Sequence, residues 1–322
     1  ADSGNILFQV DTFNEASGDW SAGSISARTS GAFTFEPVSS SFVNLRNAGP
    51  SAFSFGSAWN FGSDLSGFTF GKPGNAYDLT FSGPLTTEGP IYFYGGNIGL
   101  DGNLTVSGKN NGIYVYAAKS ILQKSPVIVT TAGGDVVYSA DTQDAGTGGV
   151  AVGQDNLSAA TIKTNGGNVL ISGNFGSSSL PQGASDSLIG IKIGVNISSA
   201  TIDAGAGAVS VSGVSGVSDH SYGIGVRIRD SAISAGSFTA TGAGSDQRGS
   251  DNDWGVSAEN STIATAGNII LSGAGGALYG DGNDGIYLSG STFSTTGEGA
   301  ISLSGTGGGV QGSASGYGVV LT

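Results

Sequence analysis

A four-residue phrase keeps returning along this chain: Gly, a hydrophobic residue, any residue, and a second hydrophobic residue. It stands as GIYV at Gly112, GVAV at Gly149, GIKI at Gly190, GVRI at Gly225, GVSA at Gly255, GIYL at Gly285 and GVVL at Gly318. The intervals are 37, 41, 35, 30, 30 and 33 residues. Self-similarity at such a period is the mark of stacked equivalent units, each too small to bury its own apolar face. That restricts the fold more than any single residue does.

A second phrase runs in phase with the first. It reads DLTFSG at Asp78, NLTVSG at Asn103, DVVYSA at Asp135, NVLISG at Asn168, AVSVSG at Ala208, SFTATG at Ser237, NIILSG at Asn268 and AISLSG at Ala300. Its second and fourth residues are apolar, and residues two apart share one face of a strand. A third strand is visible in the clearest units: Ser231 and Ile233, Ser261 and Ile263, and Ser291 and Phe293 stand six and eight residues after Gly225, Gly255 and Gly285. A Gly/Ser/Asp-rich connection follows the second phrase.

Three short strands per unit, turned by Gly, Ser and Asn corners, describe one coil of an all-β, right-handed parallel β-helix. Coils should stack at about 4.8 Å, and eight to eleven of them would give a core roughly 40–50 Å long. A β-propeller blade needs about 40 residues and four strands, more than the 30-residue units supply. A sandwich has no cause to repeat phrases at fixed spacing. A helical solenoid is excluded by the period of two and by the scarcity of strong helix formers in the repeats. Gly, at 59 of 322 residues, would supply left-handed corners. Asn110, Asn111, Asn196, Asn260 and Asn268 fall near predicted corners and tolerate the same region.

The division expected is residues 1–77, an aromatic-rich irregular β region or cap, and 78–322, the regular repeats. Twelve of the fifteen Phe residues precede position 100. They point to wider coils filled by aromatics, to a cap over an open edge, or to an aromatic groove. At the other end GVVLT begins a coil and the chain stops at Thr322. An unfinished coil is expected of a chain that is longer in nature or that stacks end to end with another molecule.

The net charge is −13, and the last basic residue is Arg248. Such a chain repels phosphate backbones and anionic lipid, so nucleic acid is not an expected partner. No stretch approaches 18 consecutive apolar residues, so no transmembrane helix is encoded. Cys is absent, which rules out disulfides and suits a chain exported unfolded.

Little catalytic chemistry is encoded. His220 is the sole His; it sits in a connection and has no second His or Cys with which to form a zinc set. The one cluster worth weighing is acidic. Asp251 and Asp253 occupy the connection one coil before Asp281 and Asp284, where stacked carboxylates would hold calcium or serve as acid and base on a polysaccharide. YGDGNDGIYL (279–288) resembles, in a single copy, the glycine-aspartate calcium repeats of secreted toxins. Calcium at these four residues is the only cofactor expected, and no enzyme activity is. An ice-binding Thr ladder is not expected, because the middle residues of the second phrase are too mixed: Thr80, Thr105, Val137, Leu170, Ser210, Thr239, Ile270 and Ser302.

GNIILSG (267–273), GGNVLISG (166–173) and GAISLSG (299–305) resemble the repeats of large bacterial exoproteins. The nearest likeness is to filamentous-haemagglutinin-type two-partner secreted adhesins and to autotransporter passenger domains. The resemblance covers roughly 78–322, without an evident secretion-signal domain or its Asn-Pro motifs. It implies an extracellular structural or adhesive rod on a bacterial surface or secreted from it, able to assemble end to end into a filament. It implies as partners a surface glycan or protein of a host or neighbouring cell, or copies of the chain itself. The alternative is a carbohydrate-binding or polysaccharide-degrading β-helix that uses loop carboxylates.

Overall fold

A computed structural model describes residues 4–14, 25–46, 53–55, 59–143, 148–154, 157–173, 193–215, 223–244, 252–276, 281–309 and 316–322. Among these residues there is no helix, and every strand pair is parallel. Three sheets of eleven, ten and eight strands form the faces of a parallel β-helix. One coil shows the path. Ile91–Gly95 lies in the eleven-stranded sheet, Ile98–Leu100 in the ten-stranded sheet and Leu104–Lys109 in the eight-stranded sheet. Ile113–Ala117 then returns directly over Ile91–Gly95, with Ile91 paired to Ile113.

Alternation within each strand builds the core. In Ser237–Ala243 the even members Phe238, Ala240 and Gly242 are buried while Ser237, Thr239 and Thr241 are half-buried on the outer face. Parallel in-register pairing then stacks like on like: Phe238 on Ile269, and Ile269 on Ile301. The apolar side chains form one continuous cluster from Phe33 to Leu288.

The N-terminal aromatics belong to that cluster. Ile6–Gln9, Ala32–Glu36 and Gly67–Phe70 are strands of the eleven-stranded sheet, so its ladder runs unbroken across position 77. Phe33 stacks on Phe68 with ring centroids 5.5 Å apart, and Phe35 on Phe70 at 5.3 Å, nearly parallel in both cases. Phe61 meets Phe33 and Phe68 edge-on. Two small two-stranded sheets, Thr12–Asn14 with Asn44–Arg46 and Ile25–Ala27 with Trp59–Phe61, flank these coils.

The sequence phrases map onto the faces with three exceptions. From Asp135 onward the second phrase always lies in the eleven-stranded sheet, but Leu79–Phe81 lies in the ten-stranded and Leu104–Lys109 in the eight-stranded sheet. The phrase at Gly112 lies in the eleven-stranded sheet, not the ten-stranded one that holds those at Gly149, Gly225, Gly255, Gly285 and Gly318. The eleven- and eight-stranded faces bury alternate residues while much of the ten-stranded face is buried at consecutive positions, and an apolar pair two apart fits all three, so the pair alone cannot say which face it occupies. The phrase at Gly190 begins outside the described residues; in the strand that follows, Ile193–Ser198, Val195 pairs with Val150 and Val226.

The two phrases keep phase because they touch. A Cβ built on Gly273, which closes a second phrase, would fall 1.9 Å from the carbonyl oxygen of Gly285, which opens the next first phrase. Neither of these glycines has a positive φ. They are needed because two backbones meet inside the coil, and only hydrogen fits between them. Left-handed corners exist too, at Asn110, Asn165, Asp230 and Asn260 among others. Asn111, Asn196 and Asn268 are not among them. Asn268 acts differently: its Oδ1 accepts the Ala300 N–H of the next coil at 2.9 Å, as Asn168 does from Ala208 and Asp135 from Asn168.

Candidate functional site

The acidic residues sit where the chain re-enters the ten-stranded sheet. Asp251 lies outside the described residues, as does His220. Asp253 is fully buried, and its Oδ1 accepts the Gly223 N–H of the preceding coil at 2.6 Å. Its own N–H donates to Asn283 Oδ1 at 3.1 Å in the following coil, and Asn283 Nδ2 donates to the Gly276 carbonyl. Asp253 is therefore level with Asn283 rather than with an acid. Asp284 is 5% exposed, and its Oδ1 accepts the Tyr317 N–H at 2.8 Å. Burial pushes its carboxyl above the usual range, and that hydrogen bond opposes the shift in part. Asp281 is exposed, with its carbonyl bound by the Asn252 N–H. Among the described residues no group of three or more His, Cys, Asp or Glu converges as a cation site. Asp253 and Asp284 instead terminate backbone donors from neighbouring coils.

A different cluster stands on the outer face of the eleven-stranded sheet. Strands Ile91–Gly95 and Ile113–Ala117 bury Ile91, Phe93, Ile113 and Val115 and turn four tyrosines outward. Tyr92 pairs with Tyr114 and Tyr94 with Tyr116. In-register parallel pairing holds their rings 4.9 Å and 5.3 Å apart, within 14° of parallel. Tyr92 and Tyr94, neighbours on one strand, lie 6.3 Å apart and 3° from parallel. The result is a two-by-two raft of half-buried rings. Burial, with neighbouring phenols second, raises Tyr94 and Tyr116 above the ordinary tyrosine range, and Tyr114 likewise with Asp135 contributing. These phenols stay protonated, and so remain donors, at neutral pH.

One edge of the raft opens on a cavity of about 280 Å³. Tyr94, Tyr116, Asn75 and the Pro73–Gly74 turn line it, with the exposed Thr142 and Gln143 at its rim and the fully covered Ser139 beneath. The wall at Asn75 is rigid. Its Nδ2 donates to the Tyr94 carbonyl at 2.7 Å, and its Oδ1 accepts from Ser41 Oγ, Phe42 N–H and Tyr77 N–H. Gly71 turns the chain there with φ +76, and any Cβ would strike the Tyr94 carbonyl at 2.2 Å. Ser139 pairs with Tyr116 across the ladder and is fully covered, and its Oγ has no hydrogen-bond partner.

No family model, curated protein or solved structure matches the chain. Its function is argued from the geometry. Among the described residues the cavity is lined by aromatic and neutral polar groups with no charged side chain, in a molecule whose net charge is −13. Such a lining suits a neutral, hydroxyl-rich ligand and offers nothing to an anion. Sequence reasoning missed the raft because it followed only the inward pair of each phrase. The signal was present: IYFYG and IYVYA carry Tyr at both outward positions of adjacent coils.

Proposed function

We propose that the chain is an extracellular structural and adhesive β-helical rod of a bacterial surface or secreted protein. One observation carries this reading: length variation between repeats concentrates at a single edge. From the ten-stranded to the eight-stranded sheet the chain crosses in one to seven residues, as from Ser198 to Ala200, Arg229 to Ala232 and, at the longest, Val152 to Ala160. From the eleven-stranded to the ten-stranded sheet it takes Gly173 to Ile193, Val214 to Ile224, Ala243 to Val256, Ala274 to Ile286 and Thr306 to Val319. Insertions at one edge leave the ladders intact and offer variable contacts from a constant scaffold, the arrangement expected of a presenting stalk.

The resemblance of GNIILSG and its relatives to adhesin repeats agrees with that division between ladder and edge. Beads coated with the chain should adhere to glycan-bearing cells above albumin-coated beads. A variant in which residues 174–192 are replaced by a two-glycine link should keep its melting temperature and adhere less. Adhesion no greater than that of albumin would reject the adhesive role.

A further inference from the structure

We infer that the cavity beside the tyrosine raft is a binding subsite for one neutral sugar ring, resting on the reading of the chain as an adhesive rod. Three features of the cavity select this ligand class. The first is size. About 280 Å³ lies just below the ~300–1,000 Å³ of sites for drug-sized ligands, so the site takes a single ring, not a chain. The second is polarity. A pyranose presents C–H patches and hydroxyls in alternation, and here the aromatic Tyr94 and Tyr116 and the polar Thr142 and Gln143 line one cavity. Both rim residues are exposed, and the Thr142 hydroxyl donates to the Ala117 carbonyl at 3.0 Å, which leaves its oxygen able to accept.

The third is Ser139. A buried hydroxyl without a partner is rare in native folds and calls for an explanation. Ser139 lines the cavity, and its covered Oγ has no hydrogen-bond partner. A ligand hydroxyl that displaces the groups covering it would satisfy it. Competing classes fit less well. Among the described residues no Lys, Arg or His lines the cavity, so a sialic acid or phosphate would meet no cationic partner there. A nucleobase would not enter between Tyr94 and Tyr116, which face each other at 5.3 Å, and the uridine arm of the test separates it from a sugar on the remaining surface of the site.

The test is saturation-transfer NMR on the full chain with glucose, galactose and N-acetylglucosamine, each to about 10 mM, a range that captures weak single-ring binding. N-acetylneuraminic acid and uridine form the discriminating arms. At least one neutral sugar should give transfer. Tyr116→Ala and Gln143→Ala should each weaken it tenfold or more, and Ser139→Ala should weaken it while leaving the melting temperature unchanged or higher. Gln143 is exposed at the rim, so that variant stays informative even if Tyr116→Ala unfolds a coil. No transfer from any neutral sugar, transfer only from uridine or the sialic acid, or transfer undiminished in Gln143→Ala would overturn the assignment. Adhesion of coated beads by a chain that binds no sugar would reject the subsite and leave the adhesive role. Sugar binding by a chain that does not adhere would do the reverse.

Discussion

Gly273 and Gly285 show how much one hydrogen atom decides in this molecule. Their backbones meet inside the coil, and a Cβ on Gly273 would lie 1.9 Å from a carbonyl that cannot move without disturbing two sheets. Gly273→Ala should therefore cost about 3 kcal/mol or more, read as a lower denaturant midpoint. Gly4, whose Cβ would meet nothing within 4 Å, should tolerate Ala within about 0.5 kcal/mol. Equal effects at the two sites would contradict the close-approach account. Asp284 makes a second prediction at this scale. Its folded pKa is raised, chiefly by burial, so between the ordinary value of 3.8 and the folded value the native state binds more protons than the unfolded chain. Stability then falls as pH rises through that window and stays lower above it. Asp284→Asn keeps an oxygen for the Tyr317 N–H and should melt roughly 1–2 °C higher at pH 7. The gain should vanish below pH 3.8, and its persistence there would refute the titration argument.

Single elements here are weak, and stacking makes them strong. A strand of three to seven residues has no core of its own, but identical faces in register place Phe on Phe and Ile on Ile. The N-terminal coils depend on this most, because they are held by ring stacks that lie over one another. Phe70 is fully buried between Phe35, stacked at 5.3 Å, and Phe42 at 5.4 Å. Phe70→Ala should cost about 3–5 kcal/mol, and because each coil touches only its neighbours the loss should stay local. Amide exchange should quicken through residues 32–95 and remain slow in Ser237–Ala243. Uniform acceleration along the chain would show one cooperative unit instead. The tyrosine raft follows the same rule on the outer face: identical residues at one register position produce a surface array.

At the scale of the whole molecule, charge and insertion are distributed unevenly. Beyond Arg248 the chain carries acids and no base, so its last coils repel themselves. Raising ionic strength from about 10 mM to 150 mM shortens the screening length from about 30 Å to 8 Å and should raise the melting temperature by about 2–3 °C. A fall in melting temperature would mean that attractive pairs dominate after all. The long connections gather along one edge, the cavity opens from the outer face of the eleven-stranded sheet, and the eight-stranded face is joined by short turns. A stiff body with differentiated sides is what a presenting rod requires.

The sequence by itself determined the class of fold. Alternating apolar pairs can be buried only in strands, and their return near 30 residues can be satisfied only by stacking, so the three-stranded coil was legible in Ser231, Ile233 and their equivalents. It did not determine which face each phrase occupied. The pairs at Leu79 and Leu104 obey the same alternation as the rest, and only the path of the chain through earlier coils placed them on other sheets. Nor did it show why the glycines recur, since a residue needed for a left-handed corner and one needed for close approach are the same letter. The site was hidden for a related reason. Tyr94, Tyr116, Asn75 and Ser139 are spread over 65 positions of sequence, and the spacing of neighbouring coils, set by the backbone ladder, is what brings them to one cavity.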